Sequence, residues 1–205
     1  MKQKEFIKVL WKTADDFGIS LTVSASRQLF VYFSELFTWN ERINLISKKE
    51  KGRFIERHIV DSLSIVTAIH ANACDRFLDI GSGNGLPAIP LAVKFPECRF
   101  DMIESNRKKC VFLQHIKAKM KLDKVFIFCE RFEQVYENLE KYTYVLVRGK
   151  RISRREEEMI MHCLKKQGSL IIYAGKKAPF SREISGENTE LFNGIKGRKV
   201  IKISK

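Results

Sequence analysis

Apolar side chains in the first third of the chain recur every three or four residues, which is the spacing of amphipathic helices. Ser47 and Glu50 have the spacing of a capping box, which predicts that a third helix begins there. Gly18 is suited to end the first helix, because glycine readily adopts the left-handed conformation of a helix stop. The predicted helices cover residues 2–17, 24–45 and 47–70.

From residue 76 onward, short apolar runs alternate with helical spacing, which is typical of a parallel sheet covered by helices. Ser153 and Glu156 have the spacing of a second capping box. The predicted strands cover 76–80, 99–104, 125–129, 143–147 and 168–173, and the predicted helices cover 86–95, 106–121, 131–139 and 153–166. A last strand at 199–203 closes a predicted hairpin, after a polar stretch at 176–198 that we expect to be a mobile loop.

Together these patterns predict an α/β protein in two parts. Residues 1–70 are expected to form a helical N-terminal cap. Residues 71–205 are expected to form a Rossmann-like core, with a mostly parallel central sheet and helices on both faces.

Charge is distributed unevenly along the 205 residues, whose formal net charge is +14. Residues 71–205 carry 27 Lys and Arg against 16 Asp and Glu, whereas residues 1–70 carry 11 against 8. A basic surface of this size favours a polyanionic partner, and nucleic acid is the usual one. A lysine-rich proteome would produce the same excess of basic residues. A soluble protein that binds no polyanion therefore stays an open alternative.

Other features of the composition argue against several classes of protein. No apolar run approaches the roughly 18 residues that a membrane helix needs, and the N-terminus lacks the apolar segment of a secretory signal. The five cysteines include no Cys-x-x-Cys pair, so neither a zinc site nor a disulfide framework is expected. We expect a cytoplasmic protein with reduced cysteines, no metal and no membrane association.

The most specific motif is a glycine-rich turn directly after the first predicted strand. Asp79 ends that strand, and Gly81, Gly83 and Gly85 follow at alternate positions. Because glycine has no Cβ atom, such a turn lets a nucleotide-like ligand approach the backbone and the start of the next helix. Glu104 ends the second predicted strand, 25 residues after Asp79, where βαβ nucleotide folds keep a ribose-binding carboxylate. A tight loop and a solvent-facing glutamate would give the same pattern.

Two classes of ligand use such a loop, dinucleotides and S-adenosylmethionine. The Gly-x-Gly-x-Gly spacing after an acid resembles the class I methyltransferase loop more than the Gly-x-Gly-x-x-Gly loop of dinucleotide enzymes. A sulfonium or ammonium group favours a nearby carboxylate, which Asp79 supplies. Phe132, after the third strand, is expected either to flank an adenine or to fill the core. The residues expected to bind S-adenosylmethionine are Asp79, Gly81, Gly83, Gly85, Leu86, Glu104, Ser105, Arg131, Phe132, Glu133 and Arg148.

Four ordered blocks of sequence resemble one family. They are Trp39-Asn40 with Asn44-Leu45, then Arg57-His58-Ile59-Val60-Asp61-Ser62-Leu63, then the glycine loop with Pro87 and Pro90, then Glu104-Ser105 with Arg107-Lys108-Lys109 and Phe112-Leu113. Over residues about 29–175 the chain resembles the bacterial 16S rRNA (guanine-N7) methyltransferase G family, also called the glucose-inhibited division protein B family. The resemblance implies a Rossmann-like class I methyltransferase with a helical cap. It also implies transfer of a methyl group from S-adenosylmethionine to N7 of a guanine in 16S rRNA, as free rRNA or in the 30S ribosomal subunit.

The chain departs from that family's pattern at two places near the expected substrate. The family usually has Ser-Arg-Ala after the fourth strand, where this chain has Val147-Arg148-Gly149. It tends to have Leu-Lys-Gly at the end of the fifth strand, where this chain has Tyr173-Ala174-Gly175-Lys176. These differences bear on the target base and leave the expected cofactor unchanged.

Arg148 is the expected catalytic residue. It follows the fourth strand, at the edge where open α/β sheets place their sites, and we expect it to contact the guanine or an adjacent phosphate. A surface salt bridge is the alternative. Since guanine N7 has a free lone pair, the reaction requires alignment of the reactants rather than a general base. Three basic clusters are expected to contact RNA phosphates: Arg148 to Arg155, Arg107 to Lys109, and Lys176 with Lys177.

Several interpretations remain open on the sequence alone. His58 and Asp61 lie three residues apart, which fits a loop-shaping or substrate-side pair. It equally fits a helix-surface hydrogen bond or a satisfied core histidine. An NAD-dependent oxidoreductase would need the dinucleotide glycine spacing, which the chain lacks. A methyltransferase acting on a different RNA, or a non-catalytic RNA-binding relative that keeps the fold, stays possible.

Overall fold

The structure, a computed structural model, describes residues 1–174, 189–193 and 199–205. Its helices are α1 (Gln3–Asp15), α2 (Val23–Trp39), α3 (Asp61–Leu63), α4 (Ala88–Lys94), α5 (Arg107–Met120), α6 (Phe132–Val135) and α7 (Arg154–Cys163). Its strands are β1 (Arg76–Ile80), β2 (Arg99–Ile103), β3 (Val125–Phe128), β4 (Tyr142–Arg148), β5 (Leu164–Ala174), β6 (Thr189–Asn193) and β7 (Lys199–Ser204). Short 3₁₀ turns cover Lys48–Arg53, Ser64–Thr67 and Tyr136–Asn138, and a π-helical segment covers Ile55–Val60.

The seven strands form one sheet in the order β3-β2-β1-β4-β5-β7-β6. Strands β1 to β5 pair in parallel, whereas β7 runs antiparallel to both β5 and β6. The predicted, mostly parallel sheet is thereby confirmed. The chain moves outward from β1 in one direction to β2 and β3 and in the other to β4 and β5. In open α/β sheets, ligands bind at the carboxyl edge beside such a reversal of strand order.

Apolar side chains cover both faces of the sheet. Along β4, Tyr144 and Leu146 belong to one buried cluster, and Val145 and Val147 belong to another, as expected for alternate residues of a strand. The first cluster also includes side chains from α1, α2, α4 and α5, and the second includes side chains from α6 and α7. Helices therefore cover both faces, as predicted. The first cluster spans cap and core, and a boundary at residue 70 stays a prediction.

Helix α2 is shorter than its apolar spacing predicts, ending at Trp39 rather than near residue 45. The side chain of Asn40 provides the reason. Its Oδ1 atom accepts hydrogen bonds from the backbone N–H groups of Leu45 and Ile46, each at 2.8 Å. A side chain that satisfies two backbone donors in this way competes with continuation of the helix.

The prediction of a single third helix over residues 47–70 is wrong. Ser47 makes no capping hydrogen bond, and Glu50 instead bonds to Nε2 of His58 at 3.0 Å. The chain therefore forms a series of 3₁₀, π and α turns between Lys48 and Thr67. The capping box at Ser153 is confirmed, because its side chain and that of Glu156 each bond to the other's backbone N–H.

The prediction of a loop over the whole of 176–198 is partly wrong, because β6 lies within this stretch and pairs with β7. Residues 176–188 and 194–198 lie outside the described residues, and so do Gly175 and the basic pair Lys176 and Lys177.

Candidate active site

The glycine loop leaves the carboxyl end of β1 and folds back toward the end of β2. Backbone N–H groups of Gly81 and Ser82 both donate to the carbonyl of Ile103, at 2.9 and 3.0 Å. Gly81, Gly83 and Gly85 have φ angles of +73°, +58° and +94°. Positive φ is strained for residues with a Cβ atom, so the backbone itself requires glycine at these positions.

The glycines differ in what surrounds them. A Cβ atom on Gly81 would meet open space, whereas one on Gly85 would lie 2.6 Å from Cγ1 of Ile89. Gly81 therefore leaves backbone accessible to a ligand, and Gly85 lets α4 pack closely on the loop. Leu86, also expected at the cofactor, is buried in the first apolar cluster.

Glu104, at the end of β2, binds the glycine loop directly. Its carboxylate accepts from the backbone N–H of Gly83 through Oε2 and from that of Asn106 through Oε1, both at 2.8 Å. Asn106 in turn caps α5 by accepting from the N–H groups of Lys108 and Lys109. Each carboxylate oxygen has two acceptor positions, so Glu104 can hold the loop and still accept from a ligand hydroxyl.

Asp79 is a buried carboxylate beside this loop, 1% exposed. Its Oδ2 atom has no hydrogen-bond partner among the described residues. Burial raises the pKa of Asp79 to about 7, while Ser82 and the positive charge of Arg148 act in the opposite direction. A buried, unsatisfied carboxylate oxygen is costly unless a donor or a cation joins it.

A cleft of about 140 Å³ opens at the carboxyl edge of β1 and β2. Ile80, Ile103, Glu130 and Lys150 contribute to its walls. Five residues from the predicted cofactor set also line it: Gly81, Ser105, Arg131, Phe132 and Glu133. Phe132 serves both roles considered for it, because it lines the cleft and is also buried in the second apolar cluster.

Arg148 ends β4 and turns toward the cap. Its guanidinium forms an ion pair with Oδ2 of Asp61 at 2.9 Å and donates to Oγ of Ser62 at 2.6 Å. It also donates to the backbone carbonyls of Arg57 at 2.9 Å and His58 at 3.4 Å. The side chain is only 13% exposed, so the pair is largely buried rather than a surface salt bridge. This arrangement gives the block from Arg57 to Ser62 a common role, which is to hold Arg148.

Two tyrosines whose hydroxyl contacts the sequence does not predict connect the cap to the site. The hydroxyl of Tyr32 donates to the carbonyl of Asn84 in the glycine loop at 2.8 Å. The hydroxyl of Tyr173 donates to the carbonyl of Ser62 at 2.6 Å, and its ring lies beneath the Arg148 guanidinium. Burial raises the pKa of both hydroxyls well above the usual range, so both remain protonated donors. In the sequence, each tyrosine is indistinguishable from an ordinary core aromatic.

The departures at residues 147 and 149 have local structural reasons. Val147 is fully buried in the second apolar cluster. Gly149 has φ +73°, a conformation that alanine adopts only under strain, although an added Cβ atom would meet open space. Glycine in place of the family's alanine therefore fits the turn after Arg148.

The described ranges also bear on metal sites and membrane spans. There, no group of three or more His, Cys, Asp or Glu side chains is arranged to hold a metal ion. None of the helices in the same ranges is long and apolar enough to cross a membrane.

Solved structures with a similar fold include several methyltransferases. An RNA methyltransferase from Salinibacter ruber, in complex with S-adenosyl-L-homocysteine, matches with a TM-score of 0.56 at 14% identity, over 70% of this chain and 88% of that one. Precorrin-6y C5,15-methyltransferase from Geobacter metallireducens matches with a TM-score of 0.54 at 16% identity, over 79% of this chain and 91% of that one. At these identities the likeness concerns the fold alone, and it confirms the predicted Rossmann-like architecture.

Curated relatives include several proteins named ribosomal RNA small subunit methyltransferase G. The protein of that name from Pseudomonas paraeruginosa is 40% identical over 124 residues, which are 60% of this chain and 57% of the relative. That from Pseudomonas putida is 38% identical over 120 residues, 58% of this chain and 55% of the relative. The matched region thus spans just over half the length of these relatives. The family model for rRNA small subunit methyltransferase G (GidB) matches residues 25–200, and the chain belongs to that family, as its sequence blocks predict.

Proposed function

We propose that this protein transfers a methyl group from S-adenosylmethionine to N7 of a guanine in 16S rRNA. The observation that carries the proposal is the cleft at the carboxyl edge of β1 and β2. There, five residues predicted for the cofactor line one cavity beside the glycine loop. Membership of the family supports the same activity and substrate. The proposal implies action in the cytoplasm, on free rRNA or on the 30S subunit.

The residues around the cleft suit the proposed cofactor. Asp79 offers a buried carboxylate oxygen that lacks a partner among the described residues, which suits the ammonium group of an amino-acid moiety. Gly81 leaves exposed backbone, and Glu104 has acceptor capacity for ribose hydroxyls. Ser105, Arg131, Phe132 and Glu133 surround the space proposed for the adenine. S-adenosylmethionine supplies an electrophilic methyl group on a sulfonium sulfur.

The chemistry requires positioning more than proton transfer. Guanine N7 is nucleophilic as it stands, so the protein has to hold it in line with the methyl carbon. Correct orientation of two reactants contributes up to roughly 7–11 kcal/mol in favourable cases. We assign Arg148 to contact the guanine or an adjacent phosphate. Because its guanidinium already donates to several acceptors of the cap, this contact requires exchange of a cap acceptor for a substrate oxygen.

Two basic segments adjoin Arg148 and are proposed to contact RNA phosphates. One follows it in the core, where Arg151, Arg154 and Arg155 are exposed. The other lies in the cap, just before the carbonyls that Arg148 binds. Its exposed cations are Lys48, Lys49, Lys51 and Arg53. The exposed pair Arg107 and Lys108, at the start of α5, extends the proposed surface past the cleft.

The direct test is radiolabelled methyl transfer to 30S subunits and to naked 16S rRNA from a strain lacking this protein, followed by mapping of the modified nucleotide. A single 7-methylguanine would support enzyme, cofactor and substrate together. When tRNA and 23S rRNA are offered in parallel, label in either of them instead of 16S rRNA would indicate a methyltransferase with a different RNA. Measurable cofactor binding with no transfer to any RNA would favour a non-catalytic relative.

The RNA surface is tested by salt dependence. We expect glutamine at Lys48, Lys49, Lys51 and Arg53 to flatten the plot of log affinity against log salt, by about 0.7 for each single-strand phosphate that the variant no longer neutralises. A matched control replaces the exposed Lys2, Lys4, Lys8 and Lys12 at the N-terminus with glutamine. Equal slopes for the two variants would contradict the proposed RNA contacts of the cap. They would not bear on the proposed cofactor site.

A further inference from the structure

Two cysteines flank Glu104 from opposite sides. Cys110 lies in the first turns of α5, is 5% exposed, and its Sγ donates to the backbone carbonyl of Glu104 at 3.0 Å. Cys129 directly follows β3 and is exposed. The ladder between β2 and β3 continues to this point, because the N–H of Glu104 donates to the carbonyl of Phe128 at 3.1 Å. The two thiols therefore lie beside the same residue, Glu104, and Cys129 is near enough to contribute to the raised pKa of the Cys110 thiol.

From this placement we propose that Cys110 and Cys129 form an oxidisable dithiol beside Glu104, next in the chain to Glu130 of the cleft, closed to a disulfide by a peroxide. Of the other cysteines, Cys98 and Cys163 are buried and donate to the carbonyls of Asn72 and Tyr136, and Cys74 is exposed in the turn before β1. The proposed pair is therefore defined by the position of both cysteines beside Glu104.

The two thiols differ in a way that sets the order of the reaction. Cys129 is exposed, so a peroxide reaches it first. Burial, with the neighbouring Cys129, raises the pKa of the Cys110 thiol to about 12, so Cys110 stays protonated and unreactive toward solvent oxidants. The Cys129 thiolate attacks one peroxide oxygen, which gives a sulfenic acid and one water. The Cys110 sulfur then attacks the Cys129 sulfur while its thiol proton passes to the departing hydroxyl, which leaves as the second water and gives a disulfide in place of two thiols.

Closure of this disulfide has a direct consequence for Glu104. The S–H of Cys110 is removed, and with it the hydrogen bond to the Glu104 carbonyl. The cross-link also ties the start of α5 to the loop after β3, where Glu130 and Arg131 line the cleft. Because the Glu104 carboxylate positions Gly83 and Asn106, we expect oxidation to weaken cofactor binding, an effect that rests on the proposed function.

The disulfide itself is tested by peptide mapping. The full-length protein is treated with hydrogen peroxide, remaining thiols are alkylated, and trypsin releases residues 110–117 and 125–131, each with one cysteine. We expect these two peptides to be linked in the native protein and in Cys74→Ser, and not in Cys129→Ser. Oxidation of Cys129 to a sulfinic acid, or a link through Cys74, without the expected pair would overturn the proposal.

The effect on the site is tested by calorimetric titration with S-adenosylhomocysteine before oxidation, after oxidation and after reduction with dithiothreitol. We expect affinity to fall by about tenfold, the equivalent of one hydrogen bond, and to recover on reduction. Cys129→Ser should bind equally well with and without peroxide. A complete cross-link with unchanged affinity would refute the coupling to Glu104. Failure of the reduced protein to bind would count against the proposed function, while the peptide map still decides the disulfide.

Discussion

The two sides of the candidate site are built in different ways. On the cofactor side, Asp79, the glycine loop and Glu104 lie close in sequence and are joined by backbone hydrogen bonds. On the substrate side, Arg148 is held by residues 86 to 91 positions away, in a cap that precedes the sheet. The first side is thus a property of one βαβ unit. The second exists only when cap and core are docked.

The largest expected effect is loss of the Arg148 side chain. Arg148→Ala leaves Asp61 buried without this ion-pair partner, and removing one member of such a pair typically costs about 3–5 kcal/mol. Urea unfolding measures the change. Arg154→Ala is the matched control, because Arg154 is 88% exposed and a surface pair contributes only about 0–1 kcal/mol. If both variants unfold at the same urea concentration, Arg148 does not hold the cap to the core.

A smaller effect separates the glycines of the cofactor side. Gly85→Ala combines the strain of positive φ, about 1–2 kcal/mol, with overpacking against Ile89, about 1–3 kcal/mol. Gly81→Ala carries the strain alone, because its Cβ would meet open space. Urea unfolding should therefore rank Gly85→Ala as clearly the less stable variant, and equal stabilities would contradict the packing role of Gly85.

Titration of Asp79 gives the third test, since stability and binding should respond to pH in opposite directions. The pKa of Asp79 is about 7 in the folded protein, above its ordinary value of 3.8. The folded state therefore holds this proton more tightly, and its contribution to stability falls as pH rises from about 4 to 7. Affinity for S-adenosylhomocysteine should rise over the upper part of this range, because only the ionised carboxylate attracts the ammonium group.

Asp79→Asn is the control for this comparison. It keeps the shape and cannot ionise, so the Asp79 contribution should disappear from both pH profiles, with weaker binding above pH 7. A wild-type affinity that stays level between pH 5.5 and 8.5 would exclude Asp79 as the ammonium partner.

The sequence predicts the cofactor side of the site better than the substrate side. Strand β1, the glycine loop and Glu104 are foreseen almost residue for residue, because their pattern depends on neighbours in the chain. Even here the sequence does not predict that Gly81 and Gly85 have separate roles, because the clash at Gly85 depends on the packing of α4.

On the substrate side, the sequence predicts which residues matter but not how they contact one another. Arg148, His58 and Asp61 are all singled out in the sequence, yet no spacing rule connects β4 to a segment so far upstream. The helix prediction across 47–70 fails for a more local reason. Glu50 bonds to His58, eight residues further along the chain, instead of capping at Ser47, and the capping-box spacing alone does not reveal this competition.

The smallest expected effects come from the two tyrosines, which offer a matched test of the two sides. Tyr32→Phe and Tyr173→Phe each remove one buried hydroxyl bonded to a backbone carbonyl, and each should cost about 1 kcal/mol in urea unfolding.

The functional effects of the two tyrosine variants should differ. Tyr32 bonds to the glycine loop, so its loss should weaken binding of S-adenosylhomocysteine and spare the rate of methyl transfer at saturating cofactor. Tyr173 bonds to Ser62 beneath Arg148, so its loss should slow transfer and spare cofactor affinity. Because the stability costs match, a difference between the variants reports the side that each tyrosine supports, and identical losses would mean that the cap acts on the site as one unit.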